Sequence, residues 1–225
     1  MKDTITATAG GTIAAALFPT RTRWSHPAIL AVVGALIIAI SAQVSTVPFT
    51  MQTVAILTLG MAYGWRLGGV TLLLYLFAGG IGLPVFAGGK GGAAALVGPS
   101  AGYLWGFVFA AMLVGWLAEK GWDRSFARAL TAMILGSAVL FIPGVLWLGY
   151  LLDPVAWGVD LNKVPSFWAD ALLADAGWKW SLYEGLWKFR YSESAKLVLA
   201  ASTLPVCWKL IGRRSERRSP SNEDA

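Results

Sequence analysis

Runs of apolar residues recur along almost the whole chain, separated by short stretches rich in glycine, proline and basic residues, and this repetition restricts the possible folds more than any other feature. A bilayer's hydrocarbon core is about 30 Å thick and takes roughly 20 apolar residues as helix. Only a helix or a closed barrel satisfies every backbone N–H and C=O in lipid. Six stretches approach the helical length: residues 27–45, 51–63, 67–81, 102–118, 127–152 and 194–211. Pro27 suits a first helical turn, where its missing N–H costs nothing. Charged residues make up 13% of the 225 and hydrophobic ones 56%, against roughly a quarter charged in an ordinary soluble domain. The expected fold class is an all-α integral membrane protein. It has an N-terminal cytoplasmic arm at 1–24, one bundle of six transmembrane helices at 25–212 and a disordered basic tail at 213–225.

The formal net charge of +6 would point to nucleic acid in a soluble protein. Here the basic residues gather at helix ends, a pattern of topology and not of nucleic-acid binding. With both termini inside, Lys2, Arg21, Arg23, Arg66, Lys120, Arg124, Arg128 and the cluster from Lys209 to Arg218 are cytoplasmic, two-thirds of the 18 basic residues. The long outer loop at 153–193 carries acids from Asp153 to Glu193, and also Trp157, Trp168, Trp178, Trp180, Trp187, Tyr183 and Tyr191. Indole and phenol rings favour the headgroup layer, so this loop reads either as an interfacial lid or as a source of rings that stack on a ligand. Ser166 is placed to cap a short helix at 167–176 within it. The expected location is the cell membrane, multi-pass. Cys207 stands alone in an apolar stretch and is expected as a small buried residue; the lone His26 makes a poor metal site.

The segment from Gly79 to Gly92 and the following Gly98-Pro99-Ser100-Ala101-Gly102-Tyr103 hold too much glycine and proline for regular helix. Irregular backbone at membrane depth survives only where protein or a watery cavity shelters it. A re-entrant, glycine-rich, cavity-lining loop between the third and fourth helices is therefore expected. Gly88-Gly89-Lys90 is not a phosphate loop: Pro84 stands where that motif needs its first glycine, and Gly91 where it needs Ser or Thr. Lys90, the only charge between Arg66 and Glu119, either snorkels to the outer interface or meets an anionic ligand.

Other polar positions stand out against this apolar background. Gln43 and Gln52 flank a short connection and face inward, toward a ligand or another helix, because an amide is costly in lipid. Glu193 and Lys196 sit at i, i+3 on one helical face, either as a weak surface pair or as a polar pair looking into an external cavity. Ala31, Ala35 and Ala39 repeat every four residues and permit close approach by a helix, whether internal or from a partner. The Gly-Trp-Arg-Leu-Gly stretch at 64–68 is expected as a tight turn. No catalytic constellation, metal cluster or nucleotide site is present in the sequence. A non-enzyme without its own cofactor is expected, and any transport by it would draw energy from another subunit or a gradient.

Val47-Pro48-Phe49-Thr50-Met51-Gln52-Thr53, Gly64-Trp65-Arg66-Leu67-Gly68, Gly82-Leu83-Pro84-Val85-Phe86-Ala87-Gly88-Gly89 and Gly98 to Tyr103 together resemble the BioY family of biotin-transporter S components. Gly144-Val145-Leu146-Trp147-Leu148 extends the likeness, which returns weakly at the last helix. The resemblance implies an S-component bundle that binds biotin at its outer face and pairs with a transmembrane coupling subunit and ATPase subunits of an energy-coupling-factor (ECF) transporter. It implies that Phe86, Gly88, Gly89, Lys90 and Gly91 line the biotin pocket, and that Ala31, Ala35 and Ala39 form the coupling surface. Glu193 and Lys196 would supply polar contacts, although the family pattern places aspartate where this chain has Glu193. Tyr103 and Gln52 complete the expected substrate-binding set. ATP would be used only by the partner ATPases. Rival readings are an S component for another small vitamin, and a membrane scaffold or enzyme without transport.

Overall fold

A computed structural model describes residues 11–17, 25–46, 49–151, 182 and 190–218. Among these residues the architecture is seven α-helices with one two-stranded ribbon. The helices are α1 (Ile13–Leu17), α2 (Ser25–Gln43), α3 (Gln52–Tyr63), α4 (Trp65–Gly80), α5 (Ala101–Glu119), α6 (Phe126–Leu151) and α7 (Arg190–Arg218). The ribbon pairs β1 (Ser45–Thr46) antiparallel with β2 (Phe49–Thr50) and turns the chain from α2 into α3. Three segments are long and apolar enough to cross a membrane: Ala101–Glu119, Phe126–Gly149 and Glu193–Ile211; Pro27–Gln43 and Gln52–Tyr63 are shorter apolar helices. The aromatic-rich stretch expected as an outer loop, with its short helix at 167–176, lies outside the described residues.

Glycine and alanine let these helices touch at backbone distance, the usual device where lipid offers no hydrophobic drive between helices. A methyl group on Gly60 would stand 2.8 Å from the Ala111 carbonyl of α5, and one on Gly115 would stand 2.6 Å from the Trp65 amide. Gly102 and Gly106, one turn apart on α5, are pressed against the backbone of α6 around Leu140 to Gly144. Tyr75, Ile56, Leu57, Met61, Leu72, Met133, Leu140 and Val114 fill the interior between α3, α4, α5 and α6.

Large exposed side chains cover the outside, which is the arrangement a lipid solvent selects. On α2, Val32, Val33, Leu36, Ile37 and Ile40 are exposed, whereas Ala31 is 3% exposed and Gly34 is buried. Ala35 and Ala39 are half-buried and pack against the core. Gly34 explains the orientation, because it abuts Thr71 of α4 and Tyr63 of α3, and the Tyr63 hydroxyl donates to the Leu30 carbonyl at 3.0 Å. Cys207, expected to be buried, is exposed on α7.

The helices alternate in direction, so the bundle has two chemically different ends. At one end Gly64, the single residue between α3 and α4, adopts φ 83° and Glu119 Oε1 accepts from the Trp65 amide at 3.2 Å. The expected five-residue turn at 64–68 is thus only one residue long, since a left-handed glycine with a carboxylate on the next amide reverses the chain at once. At the same end Trp208 of α7 donates its indole N–H to Asp123 Oδ2, and the Arg124 guanidinium lies 4.8 Å from that ring's centroid. Burial raises the Asp123 carboxyl above the ordinary carboxylate range, with the Trp208 hydrogen bond opposing.

Two terminal expectations change. Within the N-terminal arm, α1 docks on this same end, with Thr12, Ile13 and Ala14 buried and Thr12 beside Gly64. The amphiphilic segment has enough apolar side chain to fill a crevice beside α3 and α7. Beyond 212, α7 remains helical through Arg218, into the stretch expected as a disordered tail. Arginine, serine and glutamate all tolerate helix, and no proline stands between position 212 and Pro220.

Candidate binding site

The opposite end gathers the end of α2, the starts of α3, α5 and α7, the end of α4 and the segment 81–100. That segment does not continue as helix: its only regular pieces are 3₁₀ turns at Ala87–Gly89 and Ala93–Leu96. Gly88 (φ 73°) and Gly89 (φ 70°) are both left-handed, and a methyl group on either would meet no atom within 4 Å. Backbone conformation, not space, therefore demands glycine here. The turn they make is closed by the Phe86 amide donating to the Lys90 carbonyl at 3.0 Å.

Three polar side chains from other elements hold this loop. Tyr75, 1% exposed in α4, donates its hydroxyl to the Val85 carbonyl at 3.1 Å and accepts from Gln52 Nε2 at 2.9 Å. Gln43, at the end of α2, donates to the Phe86 carbonyl at 3.0 Å and to the Pro84 carbonyl at 3.4 Å, and its Oε1 accepts from the Gly89 amide at 3.1 Å. The Phe86 ring is seated against Gly79 and meets Tyr75 edge-on, centroids 5.4 Å apart. The Gly92 amide returns to the Gly79 carbonyl at 2.7 Å, fastening the far side of the loop to α4. Between this loop and α5, Trp147 of α6 donates to the Gly98 carbonyl at 3.0 Å.

The expected site residues fall in four places. Phe86 is buried as the loop's anchor, with Gly88, Gly89, Lys90 and Gly91 exposed at its tip. Gln52 is 5% exposed and spends its amide on Tyr75. Tyr103 is half-buried at the start of α5, packed edge-on against Phe141 and against Gly144. Glu193 and Lys196 form a 2.9 Å ion pair at the start of α7, both side chains 9% exposed, and Glu193 Oε2 is buried with no partner among the described residues. A pair that dry is not an ordinary surface bridge. Gln43, expected to face inward toward a ligand or another helix, is instead exposed and meets loop backbone, and Tyr75 is an anchor outside the expected site set. The signal for Tyr75 was present in the sequence: a phenol in an apolar helix needs a hydrogen-bond partner when buried.

Removing the Tyr75 hydroxyl tests this framework. Tyr75→Phe leaves the Gln52 amide and the Val85 carbonyl without their partner, at a cost of roughly 1–3 kcal/mol for buried polar groups. The expected result is a lower thermal midpoint in detergent and weaker ligand binding, with helix content by circular dichroism unchanged. Among the described residues no group of three His, Cys, Asp or Glu side chains is placed to hold a metal ion.

The arrangement is thus a polar-anchored loop with flexible glycines at its tip, sharing one end of an apolar bundle with a buried cation–anion pair. Its fold has a counterpart in the crystal structure of an S-component for biotin from an ECF-type ABC transporter. That match has a TM-score of 0.61 and 22% identity and covers 82% of this chain and 92% of that one. In sequence, the chain is 37% identical to the biotin transporter BioY of Thermotoga maritima over 143 residues, 64% of this chain and 82% of the relative. It is 37% identical to the biotin transporter BioY of Rhizobium etli over 109 residues, 45% of this chain and 58% of that relative. The model of the BioY family matches residues 18–213. That match spans six of the seven helices and the whole glycine loop: the chain belongs to the BioY family.

Proposed function

We propose that the protein takes up biotin as the substrate-binding S component of an ECF-type transporter and performs no covalent chemistry of its own. In this reading α2 to α7 are the six membrane spans, both termini are cytoplasmic and the glycine-loop end faces outward, as the distribution of Lys and Arg favours. The observation that carries it is the loop at 81–100. Gln43, Gln52 and Tyr75 hold this non-helical segment at the same end of the bundle as the buried Glu193–Lys196 pair.

Biotin has a neutral ureido-containing bicycle, which wants hydrogen-bond donors, acceptors and aromatic walls, and one carboxylate, which wants a cation. Loop backbone and Tyr103 supply the first kind of contact, and Lys90 and Lys196 the second. The family membership supports the ligand. Titrating the purified, folded protein with biotin by calorimetry should give saturable heat, unaffected by thiamine or riboflavin. Saturable competition by either vitamin would assign a different ligand, and no heat at all would reject capture.

The coupling subunit and its ATPases would supply the energy, meeting the protein along α2. Since Ala31 is buried, the contact narrows to Ala35, Ala39 and the exposed aliphatic side chains beside them. Ala35→Trp should abolish co-purification with the coupling subunit while leaving biotin titration intact, because an indole prevents close helix approach. Normal co-purification of that variant would remove α2 from the contact.

A further inference from the structure

The two glutamines that flank the α2–α3 ribbon hold the loop in physically different ways. Gln52 is buried and works through buried Tyr75, so the Val85 carbonyl is fastened from inside the bundle. Gln43 is exposed and holds the outer part of the loop through three backbone groups: its bonds to the Pro84 carbonyl and the Gly89 amide are open to water, and that to the Phe86 carbonyl is part-buried. A hydrogen bond within reach of water exchanges for one to water at small net cost, whereas a buried one does not. The inner fastening is therefore a fixed pivot and the outer one a releasable strap.

The backbone beyond the strap is suited to movement. Gly88 and Gly89 meet nothing within 4 Å where a side chain would be, and Gly82 and Gly92, on either side, have positive φ and the same open space. Glycines at both roots and at the tip permit the turn to swing without dragging packed side chains. Phe86 remains seated between Gly79 and Tyr75.

We propose that Gln43 is a positioning residue that straps the tip of the glycine loop down, so that release of its side-chain amide sets the rate at which ligand leaves the site. The inference rests on biotin capture at this end of the bundle. It adds that residence time and not contact with ligand is what Gln43 controls.

The test uses the full chain in nanodiscs, comparing wild type, Gln43→Ala and Gln43→Glu. Loop opening is read by hydrogen exchange at the Phe86 and Gly92 amides. These bond to the Lys90 and Gly79 carbonyls and not to Gln43, and both are broken when the turn between them lifts by unfolding, so they report opening and not mere loss of the strap's own contact. With three weak bonds removed, Gln43→Ala should speed their exchange about tenfold in ligand-free protein. Release of bound radiolabelled biotin should accelerate by a similar factor, with association changed much less. Gln43→Glu keeps the acceptor for Gly89 and loses both donors, so it should fall between the two. Unchanged exchange at Phe86 and Gly92 overturns the strap, and faster exchange with unchanged biotin release overturns its control of the ligand. Should wild type bind no biotin, the functional reading fails, and the exchange comparison alone still decides whether Gln43 holds the loop.

Discussion

Lys196→Ala should abolish high-affinity biotin binding and lower thermal stability at the same time, and the two losses should be separable. The Lys196 ammonium lies 2.9 Å from Glu193 Oε1 with both side chains nearly dry. Removing the cation leaves a buried carboxylate whose other oxygen already lacks a partner among the described residues. Breaking a buried pair from one side costs roughly 3–5 kcal/mol, far more than an exposed bridge contributes. Neutralising both members, as in Glu193→Gln with Lys196→Met, removes the uncompensated charge and should recover most of the stability. It should not recover biotin binding, because the charge-assisted hydrogen bond proposed for the ligand is still missing. Thermal midpoints in detergent and equilibrium binding of radiolabelled biotin, measured on the single and double variants, check both halves. Wild-type affinity in Lys196→Ala would remove Lys196 from the binding site, and a double variant as unstable as the single one would contradict the burial argument.

Gly79→Ala should weaken binding by roughly a hundredfold while leaving the helices intact. A methyl group at 79 would overlap the Phe86 ring, which is 3% exposed and has α4 backbone directly beneath it. The ring cannot retreat without leaving its edge-on contact with Tyr75. Expelling a buried phenylalanine costs about 1.5–3 kcal/mol in transfer alone, and the aromatic contact adds about 0.5–1.5 kcal/mol. A penalty of about 3 kcal/mol on the closed loop corresponds to roughly a hundredfold loss of affinity. Alanine is a better helix former than glycine, so α4 itself should be unharmed. Circular dichroism should therefore match wild type. Adding Phe86→Ala to this variant relieves the overlap and should restore stability in part, without restoring affinity. Normal biotin affinity in Gly79→Ala would show that the seat of Phe86 is irrelevant to the site.

Much of the helical framework could be read directly. The stretches expected at 51–63, 102–118 and 127–152 appear as Gln52–Tyr63, Ala101–Glu119 and Phe126–Leu151. The apolarity of all three and the length of the last two suit a lipid-facing helix, and glycine, proline or charge breaks the pattern on either side. The expected irregularity after Gly80 also holds, because a run of glycines with a proline favours turns over helix. Where reading fell short, a local cue had more than one outcome. Gly-Trp-Arg-Leu-Gly reads as a turn by composition, yet one glycine makes the reversal once Glu119 caps the next amide from 54 residues away. The first helix carries an alanine stripe and an aliphatic face, and spacing alone does not say which of the two turns inward. Contact of Gly34 with Thr71 and Tyr63 decides it.

The site shows the same division. Glycine density singles out the loop, a lone charge in apolar surroundings singles out Lys90, and i, i+3 spacing at the start of a helix singles out Glu193 and Lys196. The anchors Gln43 and Tyr75, and the seat that Gly79 makes for Phe86, depend on partners that are adjacent only after the helices pack. By itself the sequence determined the apolar helices and the place where helix must give way, since both follow from what each segment does with its own backbone polar groups in lipid. Tertiary structure alone decided which buried amide meets which carbonyl or phenol. Hydrogen bonds of that kind span tens of residues, and no local propensity encodes the identity of a distant partner.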